Sequence, residues 1–176
     1  MRFHITPDFG IHTDLLQLRF VLYPGLVRAQ VRATVGDCTI ALPATESYAS
    51  AERQEWLNRV LVESLRWQAQ RIVTPRVVQH AQRAGLSYGR ITYKDVRTRW
   101  GSCSSLRNLN FSVWLLLAPS HLVDYVVCHE LAHLSHLNHS AQFWNALDHL
   151  LGGEGEGKRL DREMNTFSRQ LSRQGR

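Results

Sequence analysis

The segment HELAHLSHLNHSAQFW, residues 129–144, is the most informative part of this chain. On a helix, His129 and His133 stand one turn apart on the same face, so both imidazoles can reach one metal ion. Glu130 follows the first histidine, where its carboxylate can reach a water molecule at that ion. Neutral imidazoles suit zinc, and three protein ligands leave a fourth coordination position for water. The pattern therefore predicts a zinc site with Glu130 as its general base.

A third ligand is needed, and two histidines compete for the position. His136 lies about 10 Å beyond His129 on a continuing helix, at about 1.5 Å per residue, which is too far for one tetrahedral ion. His139 meets no such obstacle if the helix ends before it. Asn138 tolerates the left-handed conformation that ends helices, and Ser140 can cap the next helix. We therefore predict that the chain turns at Asn138 and that His139 is the third ligand.

Strand patterns lie on both sides of a long helical region. The sequence predicts a small antiparallel meander first, followed by strands that lead into the histidine segment. The predicted strands are Leu15–Tyr23, Ala29–Val35, Cys38–Leu42, Arg90–Lys94, Arg99–Ser104 and Asn108–Leu117. We expect a single α+β domain over residues 1–176. Its parts are an N-terminal β-meander (1–45), helices (47–85), a metal-binding core (88–151) and a C-terminal basic helix or tail (152–176).

Helix boundaries follow from capping and turn residues. Ser47–Val73 is amphipathic, and Thr74-Pro75 has the form of a cap followed by a first helical residue. We therefore predict two helices here, the second reaching Gly85. Pro119-Ser120 opens the helix that carries the first two histidines, and Gly152-Gly153 ends a short helix after Ser140.

Composition limits the class of protein. The chain has 176 residues, of which 44% are hydrophobic, enough for the core of one domain. Its net charge of +6 comes mostly from arginine, which suits an anionic partner, although a solvated basic surface is the simpler interpretation. Three cysteines at unpatterned spacings argue against a disulfide framework, and no signal peptide or membrane span is evident. We expect a cytoplasmic protein.

Five segments resemble a known family. These segments are RWGSCSS (Arg99–Ser105), NLNF (Asn108–Phe111), LAP (Leu117–Pro119), DYVVCHELAHL (Asp124–Leu134) and NHSAQFW (Asn138–Trp144). Together they resemble the YgjP-like, or WLSS-motif, predicted metal-dependent hydrolases, which are similar to SprT-like and other zincin metallopeptidases. The resemblance implies a zincin-like core over 88–151, with the helix of HELAH on a small twisted sheet. It also implies that His139 completes the metal site.

The spacing of the three histidines also matches the metzincin peptidases. His136 stands where metzincins have glycine, however, and no methionine turn follows, since Met164 lies in a polar context. We therefore do not assign the chain to that group.

These patterns predict an enzyme that carries one zinc ion per chain. A peptidase-type hydrolase, in which Glu130 accepts the proton of a water molecule, is the first hypothesis. A phosphoanhydride (nucleotide) hydrolase is the alternative, and a nucleic-acid-associated SprT-like protease is a third. The expected partner is a peptide, a protein or a small anionic substrate; a nucleic-acid partner and the oligomeric state are left open. A purely structural zinc site is disfavoured, because such sites close the fourth position with a side chain.

Several residues are assigned supporting roles. Asn108–Leu117 is a candidate edge strand for pairing with an extended peptide. Tyr125, His136 and Arg99 are candidates for stabilising a developing oxyanion, and the sequence does not rank them. Trp100 is predicted to pack under the metal-binding helix, and Arg99 to face the cleft.

Overall fold

Two small sheets and four α-helices make up the computed structural model, which describes residues 3–45 and 47–174. The strands are β1 (Gly10–His12), β2 (Gln17–Tyr23), β3 (Gln30–Thr34), β4 (Asp37–Pro43), β5 (Ile91–Lys94), β6 (Gly101–Cys103) and β7 (Leu109–Ser112). The helices are α1 (Ala51–Arg83), α2 (Ser120–Ala132), α3 (Ala141–Leu151) and α4 (Glu156–Gln174), with a 3₁₀ helix at Val113–Leu117. The predicted α+β class is confirmed. Within the described ranges, no helix is both long and apolar enough to cross a membrane.

The first sheet contains the three predicted N-terminal strands and one short strand, β1, that was not predicted. Its order is β1-β2-β4-β3, and β2 pairs with β4 in parallel, so the sheet is mixed and not a purely antiparallel meander. Burial explains the order. Strand β4 buries Cys38, Ile40 and Leu42, whereas all five residues of β3 are exposed. The apolar strand therefore takes the central position, and β3 folds back to the edge through a tight turn at Gly36 (φ 84°).

Helix α1 is one continuous helix over 33 residues, and the prediction of two helices separated at Thr74-Pro75 is wrong. The buried stripe that begins at Leu57 continues past the proline through Val73, Val77 and Ala81. Burial of this stripe outweighs the cost of about 3 kcal/mol for an interior proline. The Thr74 hydroxyl makes no helix cap; it lies 2.8 Å from the hydroxyl of Tyr93 on β5.

The second sheet carries the segment that leads to the histidines. Its order is β5-β7-β6, with β7 parallel to β5 and antiparallel to β6. The predicted strand Asn108–Leu117 is only half right. The strand ends at Ser112, whose hydroxyl accepts a hydrogen bond from Trp114 N (3.1 Å), and Val113–Leu117 forms the 3₁₀ helix. Since β7 is paired on both sides, it also cannot be the edge strand that was predicted to pair with a peptide.

Helix α2 is fixed against α1 and the second sheet. It begins at Ser120 as predicted, and its apolar face is buried. Arg76 of α1 donates to the Asp124 carboxylate (2.7 Å) and to the Ser120 hydroxyl (2.9 Å), so the first turn of α2 is tied to the long helix. Helix α3 is capped by Ser140 and ends at the left-handed Gly152, both as predicted. The basic C-terminal segment is a helix, which buries Leu160 and Met164.

Candidate metal centre

Three imidazoles converge at the C-terminal end of α2. His129 lies in its last turn, His133 is its C-cap residue, and His139 lies in the loop before α3. The Nε2 atom of His129 is 3.2 Å from Nε2 of His133 and 3.1 Å from Nε2 of His139. One nitrogen from each of the three rings lies within 4.8 Å of the other two. These are the three histidines that the sequence predicted to act together.

The spacing of the imidazoles fits a zinc ion. Zn–N bonds of about 2.0–2.1 Å at tetrahedral angles separate ligand nitrogens by about 3.3 Å, close to the distances between the Nε2 atoms. Burial, and then the neighbouring His133 and His139, lower the pKa of His129 to about 3. Burial also lowers the pKa of His133. Both rings are thus neutral at physiological pH, the state in which an imidazole binds a metal.

The turn that brings His139 back differs from the predicted one. Among the non-glycine residues in 3–45 and 47–174, Arg107 alone has a positive φ (61°), so Asn138 is not left-handed. The last turn of α2 is closed instead by hydrogen bonds from Ser135 N and His136 N to the Ala132 carbonyl, both 3.1 Å. These bonds satisfy a helix-end carbonyl without a left-handed residue.

The ring of His136 lies outside the triad formed by His129, His133 and His139, but its backbone contributes. The His136 carbonyl lies 2.9 Å from Nδ1 of His133 and accepts a hydrogen bond from it. That bond leaves the Nε2 lone pair of His133 directed toward the other imidazoles, an orientation that metal-ligating histidines commonly take from a second hydrogen bond.

Glu130 lies buried beside the triad. Its side chain is 5% exposed, and Oε2 is the single buried side-chain oxygen or nitrogen within the described ranges that lacks a hydrogen-bond partner. Burial raises the pKa of Glu130 to about 8, and the guanidinium of Arg99 acts in the opposite direction. A buried carboxylate with a free oxygen needs a polar partner, and a water molecule at a metal ion would provide one.

Gly101 on β6 makes room for this carboxylate, a role that was not predicted although Gly101 lies in the RWGSCSS motif. A Cβ at this position would be 2.5 Å from Oε1 of Glu130 and 2.7 Å from its Cγ. Only glycine therefore allows the strand to approach the glutamate this closely.

An aromatic ring underlies the triad. Phe143 of α3 is fully buried, and its ring centroid lies 5.0, 4.5 and 4.6 Å from the rings of His129, His133 and His139. The Ser140 cap fixes the start of α3 and so the position of Phe143. The NHSAQFW segment thus supplies one imidazole and the apolar surface beneath all three.

Tyr125 connects the triad to the C-terminal helix. Its hydroxyl donates to Oδ1 of Asp161 on α4 (3.0 Å) and lies 3.2 Å from Nδ1 of His129, from which it can accept a hydrogen bond. This arrangement fixes His129 as the Nδ1–H tautomer, with Nε2 free. Because the hydroxyl is engaged on both sides, Tyr125 is not free to stabilise an oxyanion. No sequence motif pointed to Asp161, which lies in a polar helix far along the chain.

Trp100 packs against the C-terminal helix, whereas Arg99 is exposed near Glu130. Trp100 does not pack under α2 as predicted: its Nε1 donates to Ser168 of α4 (2.8 Å), and its ring lies 5.9 Å from that of Phe167. Successive side chains at β6 point to opposite faces, so the Gly101 position faces α2 and the preceding Trp100 faces the C-terminal helix. Arg99 is exposed and close enough to Glu130 to influence the pKa of its carboxyl.

Comparison with known proteins identifies the family. A family model described as "YgjP-like, metallopeptidase domain" matches residues 31–163. The chain belongs to the YgjP-like family. The matched YgjP-like region runs from β3 into α4 and contains the three histidines, Glu130 and Asp161. Membership makes the chain a metal-dependent hydrolase of the peptidase type. No curated protein and no solved structure matches it.

Proposed function

We propose that this YgjP-like protein is a zinc-dependent metallopeptidase with His129, His133 and His139 as ligands and Glu130 as general base. One observation carries the proposal: three imidazoles meet beside a buried carboxylate that keeps one oxygen unpartnered. A closed structural site would use a fourth ligating side chain and would have no need of such a carboxylate.

Each residue has a role that follows from its contacts. A bound zinc ion would supply Lewis acidity, lowering the pKa of water and polarising a carbonyl. The positive charge of that ion would also lower the raised pKa of Glu130, so that its carboxylate would accept the proton of the attacking water at Oε2 and pass it to the leaving nitrogen. The hydrogen bonds at Nδ1 of His129 and His133 would hold both Nε2 atoms in place, and Phe143 would exclude water from beneath the rings.

The edge strand β6 is the best candidate for pairing with an extended peptide, in place of β7. Trp100 O accepts from Ser112 N (2.8 Å) and Ser104 N donates to Asn108 O (2.9 Å), so the backbone groups at positions 100 and 104 face β7. Backbone groups alternate along a strand, and those of Gly101 and Cys103 therefore face the open edge. A peptide bound there by main-chain hydrogen bonds would pass directly beside Glu130.

A metal-dependent phosphoanhydride hydrolase is the second candidate. The exposed guanidinium of Arg99, close to Glu130, favours it, because arginine binds phosphate oxygens through paired hydrogen bonds. The same zinc centre would serve either reaction, so only the substrate separates the two candidates.

The test compares both substrate classes with one protein preparation. Zinc-loaded protein is incubated with an unstructured protein and, separately, with nucleoside triphosphates, beside Glu130→Gln as the inactive control. We expect peptide cleavage by the wild type, a loss of nearly all turnover in Glu130→Gln, and retention of zinc in that variant. Release of phosphate or pyrophosphate without peptide cleavage would favour the second candidate. Loss of zinc from Glu130→Gln would make Glu130 a ligand and refute its role as base.

A matched pair of histidine variants tests the ligands. His139→Ala should lose zinc, whereas His136→Ala should keep it, because His136 contributes its carbonyl and not its ring. Metal content per chain is measured after dialysis for both variants. Full occupancy in His139→Ala with loss in His136→Ala would contradict the assignment.

A further inference from the structure

A cavity of about 560 Å³ lies next to the metal centre, between the segment before β6, the 3₁₀ helix and α4. Two arginines and two tryptophans contribute to its lining, with polar side chains from α4 on the opposite wall. The residues that matter here are Arg97, Arg99, Trp100, Trp114, Asn165 and Ser168. The cavity is large enough for a side chain of a substrate and has both apolar and hydrogen-bonding surface.

The charged residues that line the cavity, Arg97 and Arg99, are both cationic, and no acidic residue is among those that line it. Arg97 lies over the ring of Trp114 (4.5 Å), and its Nε is 3.8 Å from Asp95, whose carboxylate accepts from Trp114 Nε1 (2.6 Å). Arg97 is thus held in position and partly neutralised. Arg99 makes neither a hydrogen bond nor an ion pair with any residue in 3–45 or 47–174. Its exposed guanidinium is available to an anion.

The cavity continues directly from the open edge of β6. Arg99 and Trp100 immediately precede Gly101, whose Cα faces the Glu130 carboxylate. Arg99 is two residues before Gly101, so their Cα atoms lie no more than about 7 Å apart. A peptide paired with β6 would therefore bring a side chain two or three residues from the bond under attack to the mouth of the cavity.

We propose that this cavity is a specificity subsite that binds an aspartate or glutamate side chain of an extended peptide substrate, two or three residues from the scissile bond. Arg99 supplies the principal contact and Arg97 the second. The inference rests on the proposed peptidase function and adds the substrate class to it.

The test uses peptides that are identical except at one position, where Glu, Gln or Lys is placed in turn at each of the three residues on either side of the cleaved bond. A charged hydrogen bond contributes about 1.5–3 kcal/mol, so kcat/KM should favour Glu over Gln by about 10-fold or more at one position. Arg99→Gln should remove that preference, and Arg99→Glu should shift it toward Lys. Arg28→Gln, an exposed arginine before β3, is the matched control and should keep it.

A binding measurement separates this inference from the proposed function. The affinity of zinc-loaded Glu130→Gln protein for the same fluorescently labelled peptides is measured without turnover. If no peptide is cleaved but Glu peptides bind more tightly than Gln peptides through Arg99, the subsite stands and the peptidase assignment fails. If peptides are cleaved and bound without regard to charge at any position, the subsite is refuted. An equal loss of kcat for all peptides in Arg99→Gln would also refute it, since Arg99 would then act on the reaction.

Discussion

Replacing Gly101 with alanine should disable the enzyme while leaving it folded. The added Cβ would lie 2.5 Å from Oε1, 2.7 Å from Cγ and 2.8 Å from Cδ of Glu130. Ordinary contacts begin at 3.4 Å, so the carboxylate must move by about 1 Å. A displacement of about 1 Å in a catalytic group costs about 100-fold in rate. The clash falls on a side chain and not on backbone, so the free energy of unfolding should change by no more than about 2 kcal/mol.

The assay measures kcat/KM on a cleaved peptide, zinc content and melting temperature for Gly101→Ala. Gly153→Ala is the control, because its added Cβ, in the loop before α4, would lie 2.8 Å from Cγ of Glu156, the first residue of α4, a similar clash on another glutamate. We expect the control to keep wild-type activity and Gly101→Ala to lose about 100-fold with zinc retained. Wild-type kcat/KM in a folded, zinc-loaded Gly101→Ala protein would refute the placement of Glu130 described here.

Three further predictions concern Tyr125, Pro75 and Asp124. Tyr125→Phe should weaken zinc binding by about 10- to 100-fold in a chelator competition, because Nδ1 of His129 loses its partner. Pro75→Ala should raise the free energy of unfolding by about 1–2 kcal/mol, measured by denaturant titration, because α1 gains a hydrogen bond; a decrease would contradict this. Burial raises the pKa of Asp124, but the hydrogen bonds and charges of His80 and Arg76 outweigh burial, so the net pKa is lowered. The ionised Asp124 therefore stabilises the fold above about pH 4, and this stabilisation should be lost as the pH falls from there through the lowered pKa. Melting curves of wild type and Asp124→Asn should therefore converge in acid, and a constant difference would contradict the assignment.

The grouping of the histidines could be predicted because it depends on local geometry. Helical spacing brings His129 and His133 together, and the rise per residue places His136 too far along the helix to share their ion. A turn after the helix is then enough to bring His139 back to the other two imidazoles. The form of that turn was not predictable in the same way. Asn138 tolerates a left-handed conformation but is not required to adopt it, and backbone bonds to the Ala132 carbonyl end the helix instead.

Features that depend on distant contacts were missed. Tertiary burial carries α1 through Pro75, although the local signal indicates a break. Strand β4 lies between β2 and β3 because it is the more apolar strand, which turn residues alone do not reveal. Asp161 reaches Tyr125 from a helix 36 residues away along the chain, and nothing in its local sequence indicates that contact.

Anomalous diffraction at the zinc edge, from crystals of the zinc-loaded protein, shows directly whether the three imidazoles bind zinc and Glu130 does not. We expect one strong peak per chain, about 2.0–2.1 Å from the Nε2 atoms of His129, His133 and His139. No oxygen of Glu130 should lie at bonding distance from that peak. A peak coordinated by the ring of His136 or by the Glu130 carboxylate, or one located away from the triad, would contradict this expectation.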